Sequence, residues 1–450
     1  MRTFLRSLAS ILIVLLMDTL CTEVEAQQVY VNECAIRSGN GSRADPFNRL
    51  SRAVMQAAAG STLLIQYGSY AETLTIQKPL TLTASGGGIQ IGEYYVGRQE
   101  TCIPIDPLAF GLDFQFSFNC GSPAGVRAEI YYPAATAEGS SVACEKPFPL
   151  VLYAHGKRFA SRIFHLCDPA EDPGPIDDDY RQLSGILEPL AAIGVVVISV
   201  DLTSASFDDF VSKAGIILNA LAFVQNENGR SGSLLGGAVD LRRVGFAGHS
   251  SGGGATILAA ACLRKSEFSD ERLNAICSPV NGLHLDALRP AAMALLAPGL
   301  DSMFLPIVPR VEAPTLIVYG TSDTQQVGES PLDVYGLASQ PKHLLVVTGA
   351  NHYGYTDRIC IASPNDNPST VGGSIGLEAR VRQQQTARNY VRVFFSGTLI
   401  GNEALLDYIL QQGSQQCGNT GDPPACGNPR RLFQDLTRLN VSVKVCSCAP

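Results

Sequence analysis

Ser250 stands in Gly248-His249-Ser250-Ser251-Gly252, where an apolar run ends and a helix-forming stretch begins. A strand that turns sharply into a helix holds its turn serine on a strained elbow. It also leaves the next amide at a helix N-terminus, where partial positive charge collects. That is the setting of a nucleophilic hydroxyl with one donor for a developing oxyanion, here the backbone N–H of Ser251. A serine nucleophile needs a base, and the base needs a carboxylate to orient it. Downstream, Pro314 to Gly320 reads as a β-branched strand running into Thr321-Ser322-Asp323. His343 to Val347 reads as another, running into Gly349-Ala350-Asn351-His352. Asp323 and His352 each fall just past a strand, in the order Ser, Asp, His. Singly, Asp323 is ordinary turn chemistry and His352 an ordinary loop histidine. The ordered trio predicts acyl transfer.

The remaining candidates lack such a context. Gly372-Gly373-Ser374-Ile375-Gly376 repeats the pentapeptide, but a Pro/Asn/Ser-rich stretch precedes it, so Ser374 reads as a loop serine. His343 lies before its strand, His249 is expected to pack under the nucleophile, His284 sits in an apolar insertion and His165 in an irregular loop. His155-Gly156 ends the apolar strand from Phe148 to Ala154. A strand ending in His-Gly is the usual place of a second oxyanion donor, here the backbone N–H of Lys157. Each such donor typically removes about 3–4 kcal/mol from the barrier. Asp240 precedes Ser250 in the chain and reads as a local cap.

From about Asp106 to Gln411 the chain resembles an α/β-hydrolase, and specifically the bacterial cutinase and polyester-hydrolase group. It is also similar to platelet-activating-factor acetylhydrolases and dienelactone hydrolases. The residues that carry the resemblance are Pro149 to Gly156, Val239 to Thr256, Pro314 to Thr324 and Gly349 to Tyr353. It implies a mostly parallel sheet flanked by helices, Ser250, Asp323 and His352 as catalytic triad, the Lys157 and Ser251 amides as oxyanion hole, and an ester substrate, small or polymeric. No metal or other cofactor is implied. Three features depart from the group. Lys157 stands where an aromatic residue is usual, Ser251 where methionine is usual, and the chain has no tryptophan for an aromatic clamp on the ester.

The ends of the chain predict export. Met1 to Arg6 is basic, Leu8 to Met17 is apolar but too short to span a bilayer, and Val24-Glu25-Ala26 suits cleavage before Gln27. Of 13 cysteines, one (Cys21) lies in this leader. The other twelve show no zinc spacing and read as disulfides. Cys417, Cys426, Cys446 and Cys448 would staple a Gly/Pro-rich tail. A net charge of −8 argues against a nucleic-acid partner. The acidic run from Asp168 to Asp179 reads as a solvated loop, since its spacing fits no calcium loop of the EF-hand kind. No further stretch is apolar enough for a membrane span.

The expected organisation is a signal peptide at 1–26, a β-rich segment at 27–100, the hydrolase at 101–412 and the Cys-rich tail at 413–450. Residues 28–97 read as a strand, an amphipathic helix from Pro46 to Ala59, and short strands near Leu63 to Ile65, Thr73 to Ile76, Leu80 to Thr83 and Ile89 to Ile91. This segment resembles the capping helix and first rungs of a pectate-lyase-like right-handed β-helix. Within the hydrolase, strands are expected at 111–118, 126–132 and 195–200, and near Asn274 to Cys277. The apolar stretch from Leu283 to Val308 fits either core or a lid. A serine peptidase or an acyltransferase would use the same triad. The reading of a different class is a non-catalytic adhesion or binding protein working through the N-terminal segment.

Overall fold

The computed structural model describes residues 27–105, 120, 125–156, 164–165, 179–205, 209–267, 271–323, 329–347, 349–357, 361–362, 377–404, 406 and 443–448. The chain divides into two compact units, Met1–Glu93 and Tyr94–Pro450.

In the first unit, strands β1 (Gln28–Val31), β2 (Thr62–Tyr70) and β3 (Thr81–Ile91) pair in parallel in that order. The period of two sends Val29 and Val31 of β1, and Leu63 and Ile65 of β2, into one core. Helix α1 (Leu50–Gln56) closes it with Leu50, Ala53 and Val54. The spacing is that of one helical face. The helix is shorter than its pattern from 46 to 59 because Arg49 is already extended. The Glu72 carboxylate supplies the missing cap, accepting from the amides of Leu50 at 2.7 Å and Ser51 at 3.1 Å. Residues 73–76, expected as a strand, form no ladder; Leu74 is only partly buried against the core.

The second unit is built on a sheet of nine strands among the described residues, in the order β14-β12-β11-β10-β9-β6-β8-β5-β4. The strands are β4 (Tyr95–Pro104), β5 (Gly125–Ala134), β6 (Phe148–Ala154), β8 (Val196–Val200), β9 (Val239–His249), β10 (Pro290–Leu296), β11 (Thr315–Gly320), β12 (Lys342–Val347) and β14 (Val443–Cys448). A separate pair joins β7 (Phe164–His165) to β13 (Ile361–Ala362). The six strands from β12 to β8 run parallel, and β5, β4 and β14 are antiparallel additions. Every residue of β6 and of β8 is buried. Strands buried on both faces need helices on both. Helices α2 (Ser184–Ala192) and α7 (Leu377–Phe395) pack together over the face carrying Val151, Tyr153 and Val197. Helices α3 (Phe210–Gly229) and α4 (Ser251–Cys262) pack together and also lie against β6, and α6 (Pro331–Leu337) connects β11 to β12. This is the mainly parallel, helix-flanked sheet expected of the hydrolase.

Several local expectations are corrected. Pro290–Leu296, inside the apolar stretch weighed as core or lid, is a central strand between β9 and β11. The following 3₁₀ turn, Ser302–Arg310, buries Phe304, Ile307 and Val308. Residues 290–296 and these three side chains belong to the core. Asn274 to Cys277 is the end of a helix, α5 (Glu271–Cys277), rather than a strand. Residues 95–100, assigned to the N-terminal segment, lie in β4 of the large sheet, and the division between units falls after Glu93. The strand expected at 111–118, the leader at 1–26 and most of the Cys-rich tail lie outside the described residues. The disulfides among the described residues include Cys102–Cys120 and Cys262–Cys277.

Candidate active site

Parallel strands deliver their C-terminal ends to one edge of a sheet, so whatever follows neighbouring strands meets there. Ser250 follows β9 directly, Asp323 follows β11 by three residues, and His352 follows β12 by five. All three side chains come together. Ser250 Oγ lies 2.7 Å from His352 Nε2. His352 Nδ1 lies 2.9 Å from one Asp323 carboxylate oxygen and 3.1 Å from the other. A carboxylate only accepts, so Nδ1 carries the hydrogen and Nε2 presents a lone pair to the serine hydroxyl. All three residues are buried.

The elbow is strained as its sequence implies. Ser250 has φ 55° and ψ −129°, a left-handed φ that a side-chain-bearing residue rarely adopts. Its neighbours hold it there: the Ser250 amide donates to the Leu296 carbonyl at 3.1 Å, and its own carbonyl accepts from Gly299 at 2.9 Å. Glycines make room around the turn. A Cβ on Gly252 would lie 2.2 Å from the His155 carbonyl oxygen, and one on Gly156 would lie 2.8 Å from Ser250 Cβ. Ser251 opens α4, so its amide belongs to the helix N-terminus beside Ser250. Its hydroxyl accepts from the buried Lys213 ammonium at 3.0 Å. Lys157 lies outside the described residues, as does Ser374.

The loops that carry Asp323 and His352 are tied to each other and to the sheet. The Ser322 amide donates to the Ala350 carbonyl at 2.9 Å. Gln383 on α7 takes both backbone groups of Asn351, accepting from its amide at 3.1 Å and donating to its carbonyl at 2.7 Å. Beneath, His249 Nε2 lies 2.8 Å from the His352 carbonyl oxygen. Burial, together with the neighbouring His352 imidazole, pushes the His249 pKa down to about 3. Neither the Gln383 clamp nor this bond was foreseen. The first joins residues 32 apart in sequence and leaves no local pattern.

The other titratable candidates are occupied elsewhere. Asp240, at the far end of β9, accepts from Arg242 Nε at 3.0 Å and Arg243 Nε at 2.9 Å, which holds its carboxyl down to about 2. Asp357 caps α2 through the Ser184 hydroxyl at 2.7 Å and the Gly185 amide at 3.1 Å. Asp301 caps the 3₁₀ turn through the Met303 amide at 3.0 Å. His155 accepts from the Leu202 amide at 2.7 Å through Nε2, so it pins the end of β6 to the end of β8. His343 is buried within β12, near the opposite end of the strand from His352. The side chain of His165 is outside the described set.

No curated protein matches the chain. Residues 180–268 match the family model described as PET hydrolase-like, and the match points to an ester hydrolase. The matched stretch begins just before α2 and takes in α3, β9, Ser250 and α4. By this match and by its mainly parallel, helix-flanked sheet, the chain resembles the α/β-hydrolases of the PET hydrolase and cutinase group.

Proposed function

We propose that the chain is a secreted serine hydrolase that cleaves carboxylic esters through an acyl-enzyme. The observation that carries the reading is the unbroken relay from Ser250 Oγ to His352 Nε2 and from His352 Nδ1 to Asp323. His352 takes the serine proton as Ser250 Oγ bonds to the acyl carbon. The tetrahedral oxyanion draws on the Ser251 amide, and the amide of Lys157 is the expected second donor. Collapse of this intermediate expels the alcohol, which leaves with the proton from His352. Water then attacks the acyl-enzyme by the same route in reverse and releases the acid. Asp323 holds the imidazole tautomer and supports the imidazolium as it forms. Secretion is supported by the sequence of the first 26 residues and by disulfides, which suit an oxidising compartment. No helix among the described residues is long and apolar enough to cross a membrane. The parallel stack of β1, β2 and β3 supports a short β-helix-like unit ahead of the hydrolase.

The test is hydrolysis of p-nitrophenyl acetate, butyrate and octanoate by the oxidatively folded protein beside Ser250→Ala. Turnover in the wild type should fall by at least about 10⁴-fold in the variant. A variant that keeps its activity moves the nucleophile elsewhere. A folded wild type inert on every ester, amorphous polyester included, favours a binding protein.

A further inference from the structure

His249 immediately precedes the candidate nucleophile, and the residue is 3% exposed. Its Nε2 lies 2.8 Å from the backbone carbonyl oxygen of His352. A carbonyl only accepts, so Nε2 carries a hydrogen and donates it. The groups facing the ring are His352 from the loop after β12, Asp323 from the loop after β11, and His155 from the end of β6, with the rings of Tyr353 and Tyr355 at its edge. The centroid of the His352 ring is 5.0 Å away. Burial beside that ring holds His249 neutral at working pH, so Nδ1 is bare. This neutrality matters: a second cation at that distance would oppose the imidazolium that His352 must become.

We propose that His249 is a positioning residue whose Nε2–H clamps the peptide of His352 and so sets the distance between nucleophile and base. The bond joins the residue bonded to Ser250 directly to the backbone of the base. Gln383 holds the neighbouring Asn351 amide and carbonyl from the side of α7, and the next carbonyl in the chain is the one His249 takes. With both clamps in place, His352 cannot tilt without breaking a buried hydrogen bond. Gly156 is what lets the ring sit there, since a Cβ on it would lie 3.1 Å from His249 Nδ1. The inference rests on the reading of Ser250, Asp323 and His352 as a triad.

The experiment compares His249→Gln, His249→Met and Ser250→Ala with the wild type, all as full oxidatively folded chains. Glutamine carries an N–H donor at about the reach of Nε2; methionine has nearly the same shape and none. Four quantities are read: kcat and KM on p-nitrophenyl butyrate, the rate of labelling by a fluorophosphonate, and Tm. His249→Met should lose about 10- to 100-fold in kcat and in labelling rate, with KM within about twofold, the size expected of a misplaced catalytic group. His249→Gln should recover most of that loss at a similar Tm. His249→Met labelled at the wild-type rate, or His249→Gln no better than His249→Met at equal Tm, overturns the proposal. If His249→Met does not fold, His249→Gln decides alone: below about a tenth of wild-type labelling the proposal fails. A wild type that is not labelled, or Ser250→Ala labelled as fast as wild type, overturns the triad reading and this inference with it. Labelled wild type, inert Ser250→Ala and unaffected His249→Met overturn the inference alone.

Discussion

At the scale of single residues, Asp323 is the member of the trio with the least distinctive sequence signal and a sharply testable role. Its two carboxylate oxygens share the Nδ1–H of His352, so in the proposed reaction its work is to choose a tautomer and to sit beside a transient positive charge. Asp323→Asn keeps the volume and can keep a hydrogen bond, but its amide can turn a donor toward Nδ1 and leave Nε2 protonated. A protonated Nε2 cannot receive the serine proton. The expected loss is about 10⁴ in kcat at pH 7 with Tm within a few degrees of wild type. Unchanged turnover would mean that another carboxylate orients the base. Asp357 and Asp301 are poor substitutes, because each already caps a helical turn.

At the scale of elements, the site is made by what parallel strands have in common, and that much was legible. The apolar runs that lead into Ser250, Asp323 and His352 announce both strand type and order. What escaped the sequence was long-range or short-patterned. The run from 290 to 296 is apolar on both faces, which a buried strand shares with a lid, and only its pairing between β9 and β10's other neighbour β11 separates them. Residues 274–277 are too few for period two to be told from period 3.6. His249 was expected beneath the nucleophile, but its bond to the His352 carbonyl is invisible without the fold. The start of α4 gives a direct prediction. It passes so close to the end of β6 that Gly252→Ala forces a carbon to 2.2 Å from one carbonyl oxygen and 2.4 Å from another. The elbow must shift, with an expected cost of about 1–3 kcal/mol in stability and a larger loss of turnover than of Tm-matched controls elsewhere on the helix. Thermal melts with parallel kcat values check it. Strand β12 gives another. Burial holds its His343 down to about 4, and Nδ1 finds no hydrogen-bond partner among the described residues. The unfolded chain takes up the proton first, near pH 6.5, so stability is complete above that pH and is lost as pH falls toward 4. His343→Leu should flatten the fall of Tm between pH 7 and pH 4.5, by up to about 3 kcal/mol at full development, leaving the share due to His249, which is at least as large. An unchanged slope would place the acid lability outside β12.

At the scale of the whole molecule, the helix that follows Ser250 is anchored at both ends by different means. Its N-terminus is held by the hydrogen bond from the Ser250 amide to the Leu296 carbonyl and by that from the Gly299 amide to the Ser250 carbonyl, and its last residue, Cys262, is bridged to Cys277 at the end of α5. The bridge closes a loop of 15 residues. Constraining the unfolded chain by a loop of that length contributes about 3 kcal/mol at 25 °C. Between the bridge and Ser250 lies all of α4, 12 residues and therefore about 18 Å of helix. Stability and chemistry should separate along that length. Cys262→Ser with Cys277→Ser is expected to lower Tm by several degrees and to leave kcat at 25 °C within about twofold of wild type, because the hydrogen bonds that set the elbow are untouched. Circular-dichroism melts and ester turnover on one preparation test both halves. A kcat that falls together with Tm would show that the bridge helps hold the elbow, and that α4 transmits strain from its disulfide end to the site.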